Sequence, residues 1–143
     1  MEYANELNYL YNRFDQHDFS AERDNLQQLF LNVDSDFTVT EGEVCRHFSR
    51  LNSSKAAGPD KISPRVLKQC AIQLANIFTV IYNQSFKTQY IPNLWKQSCI
   101  IPVPKTSTIS CLNDLRPVAL TAVPMKVCER IFLEHFKPFV TPF

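Results

Sequence analysis

Five cysteines, three histidines and one closely spaced pair of aspartates are the side chains with which this sequence could do nucleophilic, redox or metal chemistry. Cys45, Cys70, Cys99, Cys111 and Cys128 are odd in number and contain no Cys-x-x-Cys pair, so neither a disulfide framework nor a zinc ribbon is expected. His17, His47 and His135 are equally scattered and read as exposed or satisfied histidines rather than ligands. Asp34 and Asp36 have the spacing of a paired-carboxylate site, but they sit in an acidic, irregular stretch and read as a solvated turn. After Glu43 the only acids are Asp60, Asp114, Glu129 and Glu134. No two of these are adjacent or one residue apart, so the carboxylate set that holds two metal ions for phosphoryl transfer is not expected there.

Binding chemistry is more legible than bond-breaking chemistry. The net charge of +1 hides an asymmetry: residues 1–54 carry four Lys/Arg against ten Asp/Glu, whereas residues 55–143 carry eleven against four. A basic half attracts phosphates, which supply the sequence-independent part of nucleic-acid affinity; it would also serve merely to complement an acidic half. Residue by residue the motifs are modest. Gly58-Pro59-Asp60 is a turn feeding a helix, and Trp95 is a packing anchor ahead of a strand. Lys105 is a loop lysine, and Arg116 is a strand residue with its head in water.

The elements that must position these residues follow from periodicity and punctuation. Two Gly against nine Pro and 45% hydrophobic residues describe a globular chain stiffened at its bends rather than a disordered one. Residues 3–14 place Tyr3, Leu7, Leu10, Tyr11 and Phe14 at helical spacing. Residues 15–38 read as an acidic linker with one short helical turn near Leu26–Phe30. Thr40 and Glu43 make a capping box, with Val39 and Val44 as its staple, for a helix whose apolar face is Val44, Phe48 and Leu51. Ser63 and Pro64 open the longest helix, expected to run unbroken to Phe86. Cys99–Pro104 reads as an edge strand: Pro102 and Pro104 delete donors on one edge and leave Ile101 and Val103 to pair on the other. A polar loop from Lys105 to Asp114 leads to a second extended segment, Leu115–Leu120, closing a hairpin. Thr121 is expected to cap a last helix that Pro138 ends. The fold class is therefore α+β, mainly helical with one small antiparallel β-hairpin.

In order along the chain the same motifs become specific. SKAAGPDKISPRVLKQCA (54–71), PNLWK (92–96), IIPVPK (100–105), LNDLRPVALT (112–121) and MKVCERI (125–131) together resemble the opening of the reverse transcriptases of non-LTR (LINE-type) retrotransposons, over about Leu10 to Phe136. The resemblance implies an acidic endonuclease–polymerase connection over 1–38. It implies a partial reverse-transcriptase domain over 39–143, with an N-terminal extension and fingers but no palm. It assigns Lys105 and Arg116 to the phosphates of an incoming nucleotide or template, a role that suits a guanidinium fork held extended by the following proline. It places Gly58, Pro59 and Asp60 in a turn beside the template. Three residues depart from the pattern: Lys61 where a glycine is usual, Leu115 where an aromatic is common, and Pro124 where an aliphatic is expected.

The metal-binding aspartates of the family's palm have no counterpart in this sequence. The resemblance therefore implies a truncated fragment of an RNA-directed DNA polymerase that is not an enzyme as it stands and has no cofactor, the Mg2+ belonging to the intact enzyme. The expected partner is RNA or an RNA/DNA primer–template, bound weakly and non-specifically, with self-association through apolar faces that a palm would cover. The alternative is a non-catalytic helical protein-interaction module derived from a retroelement. Met1–Leu10 lacks the basic start and apolar run of a signal peptide, and no stretch reaches ~18 uninterrupted apolar residues, so an intracellular protein with no membrane partner is expected.

Overall fold

Of the 143 residues, the computed structural model describes 2–12, 18–30 and 37–140. Among these are six α-helices and a single two-stranded sheet: α1 (Glu2–Asn12), α2 (Ser20–Phe30), α3 (Glu41–Ser49), α4 (Pro64–Gln69), α5 (Ala71–Thr88), β1 (Ser98–Pro104), β2 (Leu115–Thr121) and α6 (Val123–Val140). The mainly helical α+β class is what the periodicity predicts. The residues cluster into two units, Met1–Asp36 with Pro102–Pro117, and Phe37–Ile101 with Val118–Phe143. Asp34 and Asp36, expected in a solvated turn, and Phe14 of the first apolar face lie outside the described residues.

In the first unit, α1 buries Leu7 and half-buries Leu10 and Tyr11, the face its spacing predicts, while Tyr3 stays exposed. Within the stretch expected as a linker, the described residues form the eleven-residue helix α2 rather than one short turn. The Asp18 carboxylate accepts the Ser20 N–H at 2.9 Å and the Phe19 carbonyl accepts the Arg23 N–H at 2.9 Å, so the first turn is closed where the acids suggest a loop. An aspartate at a helix start is favourable, and Ala21, Glu22, Arg23, Leu26, Gln27 and Gln28 are all good helix formers.

The second unit is built outward from α5. The capping box forms as its sequence predicts: the Glu43 N–H donates to Thr40 Oγ1 at 3.3 Å, and the Glu43 carboxylate accepts the Thr40 N–H at 2.8 Å. Ser63 caps α4 with Pro64 in the first turn. The single long helix expected over 64–86 is broken at Cys70 (φ −103°, ψ 25°) into α4 and α5. The buried face nonetheless keeps helical spacing across the break: Pro64, Leu67, Ala71, Ala75, Phe78, Tyr82 and Ser85. Against it pack Val44 and Phe48 of α3, Trp95, and Val127, Cys128 and Ile131 of α6. Trp95 stacks on Phe78 with ring centroids 6.3 Å apart and tilts against Tyr82 at 5.8 Å, which makes it the anchor its position suggests.

One feature of this core has no sequence signature. The Asn83 side-chain amide brackets the backbone of Val39, accepting its N–H at 2.7 Å and donating to its carbonyl at 2.9 Å, and so tethers the chain just ahead of α3 to α5.

The last helix differs from expectation at both ends. Thr121 stays in β2, and it is the Ala122 carbonyl that takes the first helical bond, from Lys126 N–H at 3.2 Å. At the far end α6 continues to Val140, so Pro138 removes the bond to the Glu134 carbonyl without stopping the helix. Among the described residues no helix is long and apolar enough to cross a membrane.

Candidate nucleic-acid interface

The hairpin register follows from one hydrogen bond, Lys105 N–H to the Asp114 carbonyl at 2.8 Å. That bond sets Lys105 opposite Asp114, and by two-residue steps Val103 opposite Arg116 and Ile101 opposite Val118. Donors at Ile101, Val103 and Lys105 therefore face β2, as expected, and Pro102, Pro104 and Pro117 stand at positions whose N–H would face away from the pair. The same parity puts the Lys105 and Arg116 side chains on one face of the hairpin, as diagonal neighbours.

The two cations line a cleft of about 190 Å³ with Leu10, Tyr11, Asn113, Leu115 and Pro117. They are not equivalent. The Lys105 ammonium donates to the Asn113 carbonyl and thereby braces its own loop, which leaves two of its three donors for a ligand. The Arg116 side chain is exposed and, among the described residues, has no acidic or carbonyl partner, so its whole fork is available.

The loop between them is held by Asp114, the acid that closes it. Its carboxylate accepts the N–H groups of Ser110 at 2.9 Å and Cys111 at 3.1 Å. Those two bonds, Ser110's first, hold its pKa below the ordinary aspartate value, with Lys105 nearby adding to the effect. Asp114 also offsets part of the positive field of the two cations. An aspartate closing a polar loop is a recognisable cap, and that was the available signal.

Gly58, Pro59 and Asp60 belong to the second unit, where they form a turn ahead of α4. The Lys61 N–H bonds the Gly58 carbonyl at 2.9 Å, and Asp60 Oδ1 accepts the Ile62 N–H at 3.2 Å, a β-turn overlapped by an Asx turn. Gly58 lies against the junction of β2 and α6: a Cβ there would meet the Thr121 carbonyl oxygen at 2.5 Å and the Ala122 nitrogen at 2.6 Å. Lys61 has φ 59°, the left-handed region, at the position where the resemblance implies a glycine. Asp60 Oδ2 is buried without a hydrogen-bond partner among the described residues.

Among the described residues the thiols and acids do not gather into one cluster. All five cysteines are free, and burial pushes the Cys128 thiol up to about 11, which suits a core residue rather than a nucleophile. Among the described residues no group of three or more His, Cys, Asp or Glu side chains is placed to hold a metal ion. The described donors do not form a set that fits the Mg2+ that the resemblance assigns to the whole enzyme.

No protein-family model matches the chain. Over 98 residues, 68% of its length, it is 30% identical to the RNA-directed DNA polymerase from mobile element jockey of Drosophila melanogaster. The likeness is to a retroelement polymerase. The match spans only 11% of that protein. At this identity it supports a distant, reverse-transcriptase-like relationship and a retroelement origin for the chain.

Proposed function

We propose that this chain is the N-terminal extension and fingers portion of a non-LTR retrotransposon reverse transcriptase. In this reading it binds RNA or an RNA/DNA primer–template through the hairpin cations Lys105 and Arg116, with little sequence preference and without chemistry of its own. The observation that carries the reading is the convergence of those two residues on one hairpin face and one cleft, with the Arg116 fork free of any partner among the described residues. The jockey polymerase likeness supports the same assignment. An extended backbone enforced by Pro117 holds the fork without the entropy a mobile loop would lose on binding.

A labelled single-stranded RNA titrated with the chain and its variants tests this. Arg116→Ala weakens binding and lowers the single-strand salt slope by about 0.7, and Arg116→Lys recovers only part of the loss because it keeps the charge but not the fork. Lys87→Ala, an exposed lysine in the last turn of α5, is the control. Equal losses from Arg116→Ala and Lys87→Ala would mean diffuse attraction and no site.

A second reading, a helical module that docks a protein, has one observation in its favour. A cleft of about 310 Å³ lined by Phe86, Ile91, Met125, Cys128 and Phe132 opens on the second unit, with Phe132 itself 41% exposed. Binding there would be insensitive to salt, which separates it from phosphate recognition.

A further inference from the structure

The second unit carries a groove that the hairpin reading does not use. It has a volume of about 490 Å³, and four cations line it: Arg50 at the end of α3, Lys55 in the following loop, and Lys126 and Arg130 on α6. All four are exposed, and no Asp or Glu lines the groove. Among the described residues none of the four is in an ion pair, the two pairs present being Arg23 with Asp24 and His47 with Glu134.

The groove is also built rather than accidental. Lys126 and Arg130 are one helical turn apart, about 6 Å along the axis, so they project from the same side of α6 while Glu129 falls to the other cleft. Arg50 is fixed by its N–H to the His47 carbonyl at 3.3 Å. Lys55 follows a closed turn in which its N–H reaches the Asn52 carbonyl at 3.2 Å and the Asn52 side chain accepts the Ser54 N–H at 3.0 Å. The floor is aliphatic, with Leu51, Val118 and Val123, and no aromatic side chain lines it.

We infer that this groove binds the phosphodiester backbone of a single-stranded nucleic acid, as a second contact separate from the hairpin cations. The inference rests on the nucleic-acid reading above and extends it to cations that the hairpin reading does not use. Four uncompensated cations along one groove match a polymer that carries a negative charge on every unit, and the lack of acids removes what would repel it. An acidic peptide offers carboxylates less regularly and would leave some of the four unmatched. With no aromatic on which bases could stack, the groove tracks the backbone and is indifferent to sequence.

Fluorescence anisotropy with a labelled single-stranded RNA on the full chain provides the test, comparing the parent with Lys126→Gln/Arg130→Gln, Arg50→Gln/Lys55→Gln and Arg116→Ala between 50 and 200 mM salt. Glutamine keeps the aliphatic stem and removes the charge. Each groove double variant loses two phosphate contacts, which lowers the single-strand salt slope by about 1.4 and the affinity change over that salt range by about sevenfold. As a measurement that needs no variant, RNA protects Lys55 and Lys126 of the parent chain from amine acetylation. Groove variants that bind and respond to salt like the parent, or unprotected lysines, while Arg116→Ala weakens binding, would overturn the groove and leave the hairpin reading intact. A parent chain with no salt-sensitive RNA binding would overturn the nucleic-acid reading itself. Displacement of the RNA by polyglutamate of matched charge as readily as by unlabelled RNA would also overturn the proposal, in favour of an acidic peptide.

Discussion

The Tyr82 hydroxyl donates to the Pro124 carbonyl at 2.7 Å, and both residues are fully buried. This bond fastens the first turn of α6 to the middle of α5. Proline is tolerated at that turn because the N–H it lacks has no intrahelical partner there. Pro124, where the resemblance implies an aliphatic residue, therefore leaves the helix intact. Burial drives the Tyr82 phenol far above its ordinary pKa, so the hydroxyl stays a donor throughout the accessible pH range. Tyr82→Phe keeps the ring contacts with Phe78 and Trp95 and loses only the hydroxyl, for an expected cost of about 1 kcal/mol in urea denaturation. A variant as stable as the parent would show that the bond contributes nothing.

Gly58 and Lys61 bracket one turn and should respond in opposite directions. Gly58→Ala forces its new methyl into the backbone of Thr121 and Ala122, where no side chain can yield, and should cost about 1–3 kcal/mol. Lys61→Gly relieves a left-handed conformation at an exposed site and should stabilise by about 0.5–1 kcal/mol, after allowing for the freer unfolded chain. Thermal melts of the two variants beside the parent settle the signs. A destabilised Lys61→Gly would contradict the strain assigned to that residue.

These two residues also show where the sequence was readable and where it was not. Turn chemistry at Gly58-Pro59-Asp60, the Thr40–Glu43 capping box and the proline-marked edge of β1 are local, and each was legible because the physics acts within a few residues. The close approach of Gly58 to Thr121, the Asn83 clamp on Val39 and the grouping of Arg50 with Arg130 join residues far apart in sequence, and no periodicity encodes them. The α2 region failed for another reason. Scattered aspartates suggest a loop, although Asp18 sits at a helix start, where the same charge is favourable. At the candidate site, Lys105 and Arg116 were visible as residues, while the bracing of Lys105 by Asn113 was not.

The α3 cap should be acid-labile. Glu43 has its pKa held below the ordinary value of 4.5 by the Thr40 hydroxyl first and the Thr40 N–H second. A depressed folded-state pKa means that the stabilisation is fully present above about pH 4.5 and is lost as pH falls through the folded value. Thr40→Ala should therefore cost about 1 kcal/mol near pH 7 and distinctly less near pH 3. Chemical denaturation at the two pH values gives the comparison, and an equal cost at both would remove the carboxylate from the cap's energetics.

Primer extension should fail. With Mg2+ or Mn2+, an RNA template and a DNA primer, the chain is expected to incorporate no nucleotide above a heat-killed control, because none of its described acids group into a metal-binding set. Template-dependent incorporation would mean that some other arrangement supplies the metal site.

The central claim is that this chain recognises nucleic acid by its phosphates, and the salt dependence of RNA binding by the purified parent chain tests it most directly. Phosphate contacts release counterions, so the logarithm of the binding constant should fall linearly with the logarithm of salt, by about 0.7 for each single-strand phosphate engaged. The hairpin cations alone give a slope near −1.4, and the four groove cations steepen it to about −4. Affinity should also be nearly the same for RNAs of unrelated sequence. Binding that is independent of salt, or confined to one sequence, would contradict the claim.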